Sequence, residues 1–123
     1  MTQTSSSDIT RFDKNFAIGT VEGDVRWIDA LDLAIEGLGW PSESQPYTRL
    51  PDRAEKAVRP AVWGLSRHSA GVRVRFMTNA TNISARWTLR NPNLAMNHMP
   101  ATGVSGLDLY TLTNTGWRWT GSG

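Results

Sequence analysis

The chain of 123 residues contains no cysteine, only two histidines and very little excess charge. Without cysteine it has neither disulfides nor thiolate metal sites, and two histidines without HExxH-type spacing do not indicate a catalytic zinc. Thirteen Lys and Arg stand against eleven Asp and Glu, a formal net charge of +2. No positive run exceeds a pair, so charge gives no support for nucleic-acid binding. We therefore predict no metal, no cofactor and no nucleic-acid partner.

Long apolar runs are also missing. No stretch approaches the roughly twenty apolar residues of a membrane span, so no membrane partner is predicted. The N-terminal sequence MTQTSSSDITRFDK is polar and lacks the apolar centre of a secretory signal. Two locations stay open: the cytoplasm, or a secreted or periplasmic site reached after a signal was removed.

Length and composition indicate one globular domain, with 39% apolar and 20% charged residues. We predict a disordered lead-in over residues 1–13, a single domain over 14–120 and a short tail over 121–123. Four of the six prolines lie in residues 41–60. This stretch is predicted to be a long irregular arm, with at most one helical turn in DRAEKAV, and such arms are often functional.

Short apolar runs separated by turn residues predict an all-β domain. FAIGT reads as a first short strand, and residues 27–35 follow a period of two that favours another strand. VRVRFMT and ISARWTL alternate apolar and polar residues around the turn-like segment 79–82, which predicts a hairpin. LDLYTL and WRWT, separated by TNTG, predict a second hairpin. About eight short strands favour an antiparallel β-sandwich, most plausibly a jelly roll.

Six tryptophans are many for a domain of this size. Trp87 falls on the apolar face of its predicted strand and is expected in the core. The other aromatic candidates suit either docking of a neighbouring domain or stacking against a sugar. The candidate contact residues for both interpretations are Trp40, Trp63, His98, Met99, Trp117 and Trp119.

Asp108 lies between two leucines, where a sheet usually buries hydrocarbon. If it is buried, its charge requires hydrogen bonds or an arginine, with Arg75, Arg86 and the backbone N–H groups of TGVSG as candidates. We interpret Asp108 as a scaffold residue that ties this loop to the strand, with Tyr110 on the same face. The alternative, a ligand for Ca²⁺ or a sugar hydroxyl, lacks a cluster of further carboxylates.

Three stretches in order, VWGLSRHSAGVRVRFMTNATNISARWTL, HMPATGVSGLDLY and WRWTG, resemble the N-terminal domain of SGNH-type esterases. The resemblance covers roughly residues 15–120. That domain carries a G-x-D-L-Y motif, which matches Gly106, Asp108, Leu109 and Tyr110 here, with Leu107 at the variable position. The resemblance implies a β-sandwich that precedes a GDSL-type hydrolase domain, toward which the tail at residues 121–123 would lead.

In such enzymes the resemblance places the nucleophilic serine in a Gly-Asp-Ser motif of the later domain. Here the one Gly-Asp pair, Gly23-Asp24, is followed by Val25, and no Gly-x-Ser-x-Gly elbow is present. His68 and His98 are the only bases that a serine triad would have. We therefore expect no catalysis by this chain alone, and an ester hydrolase as the parent protein.

The sequence thus favours a non-catalytic accessory domain that packs on the hydrolase domain of the same polypeptide and shapes its cleft. The alternative is an independent carbohydrate-binding module. A homo-oligomer formed through the docking patch is a third option.

Overall fold

The structure is a computed structural model that describes residues 19–123. The predicted lead-in and most of the predicted FAIGT strand lie outside these residues. The described chain divides into two compact units, one ending at Asn79 and one beginning at Ala80. No helix among residues 19–123 is long and apolar enough to cross a membrane.

The fold consists mainly of short strands in three two-stranded antiparallel sheets. The strands are β1 (Thr20–Glu22), β2 (Val25–Trp27), β3 (Ala34–Glu36), β4 (Arg73–Arg75), β5 (Asp108–Thr113) and β6 (Gly116–Ser122). Two short α-helices are α1 (Pro60–Ser66) and α2 (Ala101–Val104), and 3₁₀ turns cover Ala30–Asp32 and Asp52–Lys56. The all-β prediction is therefore confirmed at the level of small antiparallel sheets.

The first unit begins with a tight hairpin. β1 pairs with β2, and the two-residue loop between them starts with Gly23 at φ 60°. A glycine with positive φ at this place suits a type II′ turn, which matches the twist of the flanking strands. The sequence Gly-Asp that lacks a following serine thus serves as a hairpin loop.

The predicted strand over residues 27–35 is interrupted. Asp29 accepts a hydrogen bond from the backbone N–H of Leu31 at 2.9 Å and begins the 3₁₀ turn that separates β2 from β3. A side-chain cap of this kind pairs an N–H group that a helical turn leaves free. The single-strand prediction is wrong because Asp29 offers the backbone this local alternative.

The predicted hairpin between VRVRFMT and ISARWTL is also wrong. β4 pairs with β3 instead, with Ile35 opposite Val74, and residues 80–90 contain no strand. Glu36 accepts a hydrogen bond from Arg73 at 2.7 Å and lies 3.1 Å from Arg75. One carboxylate thus pairs with both arginines of β4, a long-range pairing that the local alternation did not reveal.

The arm of residues 41–60 contains no strand and folds back on itself. Asp52 donates its backbone N–H to the carbonyl of Glu43 at 2.9 Å, and Glu43 pairs with Arg53 at 2.8 Å. Arg49 attaches the arm to α1: its N–H reaches Ser66 O at 2.9 Å and its guanidinium reaches Leu65 O at 2.7 Å. The predicted irregular arm is therefore an ordered hydrogen-bonded segment.

Tyr47 in this arm has a perturbed ionisation. Burial, and secondly the negative charge of Asp29, raise the pKa of its phenol above 10.0. In Tyr110→Phe, Tyr47 is the only tyrosine left, so we expect a tyrosinate absorbance midpoint above pH 10.0. Adding Asp29→Asn, which retains a capping side chain, should lower that midpoint.

The same shift affects stability. Above pH 10.0 the unfolded chain loses the Tyr47 proton first, so the free energy of unfolding should fall as pH rises through the folded-state pKa. Tyr47→Phe should remove this contribution, as measured by denaturation at a series of alkaline pH values. An unchanged pH dependence in that variant would contradict the assignment.

Candidate functional site

The G-x-D-L-Y segment begins where backbone atoms crowd around Gly106. A Cβ on this residue would lie 2.6 Å from the Thr102 carbonyl oxygen and closer still to that of Gly123. Leu107 and Gly123 exchange backbone hydrogen bonds of 2.8 and 3.0 Å, which add a pair to the end of the β5–β6 ladder. The first motif residue is glycine because α2 and the end of the chain both approach its backbone.

Asp108 is exposed, and not buried as the sequence suggested. Its carboxylate accepts hydrogen bonds from the Ser122 hydroxyl and, at 3.4 Å, from the indole N–H of Trp119. Both donors belong to β6, so Asp108 links the two strands of the hairpin. Its observed partners are thus neither arginines nor the TGVSG backbone. The pairing of β5 with β6 places Ser122 opposite Asp108, so side chains of β6 are its neighbours.

The predicted β5–β6 hairpin is confirmed, with a register shift between Leu109 and Tyr110. Tyr110 lies opposite Trp119 and Leu112 lies opposite Trp117. Because side chains alternate across a strand, these four residues share one side of the hairpin. Each of them is more than half exposed. We call Tyr110, Leu112, Trp117 and Trp119 the aromatic face.

The opposite side of this hairpin is polar. Thr111 and Thr120 share a hydrogen bond of 2.9 Å between their hydroxyls, and Arg118 lies opposite Thr111. The guanidinium of Arg118 reaches Thr115 Oγ1 at 3.2 Å. The hairpin is therefore two-sided, with aromatic rings on one side and hydroxyls and a cation on the other.

His98 and Met99 lie in a turn before α2. Met96 and Met99 exchange backbone hydrogen bonds of 2.9 and 3.1 Å, and His98 is exposed between them. The Met99 side chain lies against Gly103, where a Cβ would come 2.9 Å from its Cγ. Met99 therefore packs on α2.

Trp87 was expected in the core, but the structure leaves it exposed. Its indole N–H donates to the carbonyl of Ser105 at 2.8 Å, beside the motif. The prediction of a buried ring assumed a strand in this segment. Because residues 80–90 form no strand, their alternating pattern does not place Trp87 on a sheet face. Arg86 in the same segment is exposed.

Trp40 and Trp63 belong to the first unit. Trp40 is exposed and its carbonyl accepts the backbone N–H of Glu43 at 3.1 Å. Trp63 is half-buried on α1 and lines a cavity of about 220 Å³. The residues around this Trp63 cavity are Gln45, Thr48, Asp52, Glu55, Trp63 and Arg67. The sequence analysis selected only Trp63 among these residues. The arm residues lie near Trp63 because the arm folds back on itself, and the sequence pattern did not predict that reversal.

The structure does not assemble a hydrolytic triad in the described residues. His68 and His98 lie in different units, and neither imidazole makes a hydrogen bond to a serine or carboxylate there. No group of three or more His, Cys, Asp or Glu in residues 19–123 is arranged to hold a metal ion. A triad requires a serine within hydrogen-bond reach of an oriented histidine.

The motif and its surroundings agree with the comparison to known families. The model described as "GxDLY: N-terminus of Esterase_SGNH_hydro-type" matches residues 25–123. No curated protein and no solved structure matches the chain. On the length of the family match, and with the motif at Gly106–Tyr110, the chain belongs to the GxDLY family, the N-terminal region of SGNH-hydrolase-type esterases.

Proposed function

We propose that this chain is a non-catalytic accessory domain that packs on the hydrolase domain of an SGNH-type serine esterase and shapes its substrate cleft. The observation that carries the proposal is the aromatic face, which lies on the hairpin that the family motif builds. The family membership supports this choice of partner, since the family is the N-terminus of such esterases.

The exposed rings of the aromatic face favour burial against a partner surface. Two tryptophans, a tyrosine and a leucine are each more than half exposed, and no large hydrophobic side chain in the described part of the chain is buried. Burial of apolar area contributes about 25 cal/mol per Å², and Trp and Tyr are enriched at the centres of interfaces. A contiguous patch of this type is a common mark of an interaction site.

The finer architecture belongs to the same proposal. A two-stranded sheet is marginal on its own in water, and the described residues contain three of them, so each needs further packing to be stable. We propose that the domain predicted over residues 14–120 is a jelly-roll-like β-sandwich. The predicted tail of residues 121–123 belongs to the β5–β6 ladder, and the chain would lead from there toward the hydrolase domain.

The proposal predicts where ester hydrolysis resides. The 123-residue chain should not hydrolyse p-nitrophenyl acetate above background, whereas the longer protein that includes the hydrolase domain should hydrolyse it. Turnover by the short chain that is lost in His68→Ala or His98→Ala would contradict the proposal. Sedimentation of the short chain tests the third option, because a stable dimer would show that the chain pairs with a second copy of itself.

A further inference from the structure

Asp108 lies beside the aromatic face and is oriented by it. Its Oδ1 atom accepts the indole N–H of Trp119 at 3.4 Å and also the hydroxyl of Ser122. Both donors use the same oxygen, so the Oδ2 atom has no hydrogen-bond partner within residues 19–123. Because the side chain is exposed, water solvates this second oxygen in the isolated chain. Two side chains of β6 therefore hold the carboxylate in place and leave one of its oxygens available to a partner.

The negative charge of Asp108 is not neutralised by the part of the chain that the structure describes. Asp108 takes part in none of the ion pairs formed among residues 19–123. The one cation of its own hairpin is Arg118, whose guanidinium reaches Thr115 Oγ1 at 3.2 Å on the polar side. The side of the hairpin that carries the aromatic rings thus presents a negative charge without a cation to balance it.

Docking of the aromatic face would change the surroundings of this carboxylate, and the inference that follows rests on the proposed function. The indole of Trp119 is hydrogen-bonded to Asp108, so a surface that covers this ring also displaces water from the carboxylate. Removing an ionised carboxylate from water is strongly unfavourable unless a cation or new hydrogen-bond donors replace the water. Since the described residues supply no cation, the partner must supply one.

The neighbouring ring indicates which cation fits best. Trp119 is 60% exposed, so its indole is open to a stacked group. A guanidinium is planar, stacks on aromatic rings and donates several N–H groups in fixed directions, whereas the ammonium of lysine is a compact and strongly hydrated charge. We propose that the hydrolase domain presents an arginine to the aromatic face, with its guanidinium stacked on Trp119 and hydrogen-bonded to Asp108 Oδ2.

The test measures hydrogen exchange of the β5–β6 backbone amides in the 123-residue chain and in the longer protein that includes the hydrolase domain. Asp108→Asn removes the charge but keeps an oxygen that can accept from Trp119 and Ser122. In the short chain the exchange rates should change by about twofold or less, as for other exposed substitutions. In the longer protein they should rise about tenfold or more, because the arginine of the partner would be left buried without its carboxylate.

The sign of the change in the longer protein is decisive. If no cation faces Asp108 in the docked state, its replacement by asparagine removes a desolvation cost, so exchange would be unchanged or slower. Either result would overturn the proposal. Asp24→Asn is the matched control, because it removes an exposed carboxylate from the first unit. It should leave the exchange of β5 and β6 unchanged in both proteins.

Phenylglyoxal, which modifies guanidinium groups, identifies the partner residue. One arginine of the hydrolase domain should react faster in the Asp108→Asn form of the longer protein than in its wild-type form. Equal reactivity of every such arginine in the two forms would overturn the assignment to arginine.

Trp117→Ser distinguishes this inference from the docking on which it rests. If Trp117→Ser accelerates exchange in the longer protein and Asp108→Asn does not, docking stands and the arginine contact is wrong. If neither variant accelerates exchange there beyond its effect in the short chain, docking through the aromatic face is wrong, and the arginine contact with it.

Discussion

Replacing Gly106 with alanine should lower the free energy of unfolding of the chain by about 1–3 kcal/mol, the usual cost of forcing a group into occupied space. The new Cβ would lie 2.6 Å from the Thr102 carbonyl oxygen and 2.9 Å from its Cα. These are backbone atoms, which cannot rotate away as the end of a flexible side chain does. Relief would require α2 or the Leu107–Gly123 pairing to shift. Urea denaturation followed by far-ultraviolet circular dichroism measures the change.

Gly121→Ala is the matched control for this measurement. Gly121 lies in β6 of the hairpin that follows Gly106, but a Cβ there has no atom within 4 Å. Its free energy of unfolding should change by about 0.5 kcal/mol or less. If the two variants lose equal stability, the crowding around Gly106 does not explain the glycine of the motif.

The hairpin of the second unit was predictable because its signals are local. TNTG separates two alternating runs, and β5 and β6 form on either side of it as expected. The parity of Trp117 and Trp119 placed them on one side, and the register confirms that Tyr110 and Leu112 join them. Turn chemistry and a period of two operate over only a few residues, so a single sequence carries this information.

The pairing of β3 with β4 could not be predicted from such local signals. Glu36 and Arg73 are 37 positions apart, and nothing local links them. Because Arg73 and Arg75 alternate with apolar residues, the pattern predicted a strand, but it assigned that strand the wrong partner, the alternating segment ISARWTL. Alternation fixes which residues share a face, whereas strand pairing depends on contacts across the fold.

Two local signals were present in the sequence but were missed. Pro60 begins α1, and proline is favoured at the first position of a helix because its missing N–H has no partner there. Asp29 caps the 3₁₀ turn that interrupts the predicted strand. The Trp63 cavity is lined by residues of the arm and of the α1 region. Because the sequence analysis did not predict α1, it could not predict this cavity.

The role of the aromatic face is tested most directly by comparing Trp117→Ser in two proteins. In the 123-residue chain Trp117 is exposed and pairs with Leu112, so its loss should cost about 1 kcal/mol or less. In the longer protein that includes the hydrolase domain, the proposed docking buries this ring. Loss of a buried interfacial tryptophan typically costs about 2 kcal/mol or more. The free energy of unfolding should therefore fall further in the longer protein.

Arg118→Ser supplies the control, since Arg118 is the next residue of β6 and points to the polar side of the hairpin. Its effect should be the same in both proteins, because the docking surface does not include it. Equal losses for Trp117→Ser in the two proteins would contradict docking through the aromatic face. A loss of several kcal/mol in both would mean that the ring is covered within the short chain itself, either by its own sandwich or by a second copy. Sedimentation at the same concentrations separates these two cases, because only the second one depends on protein concentration.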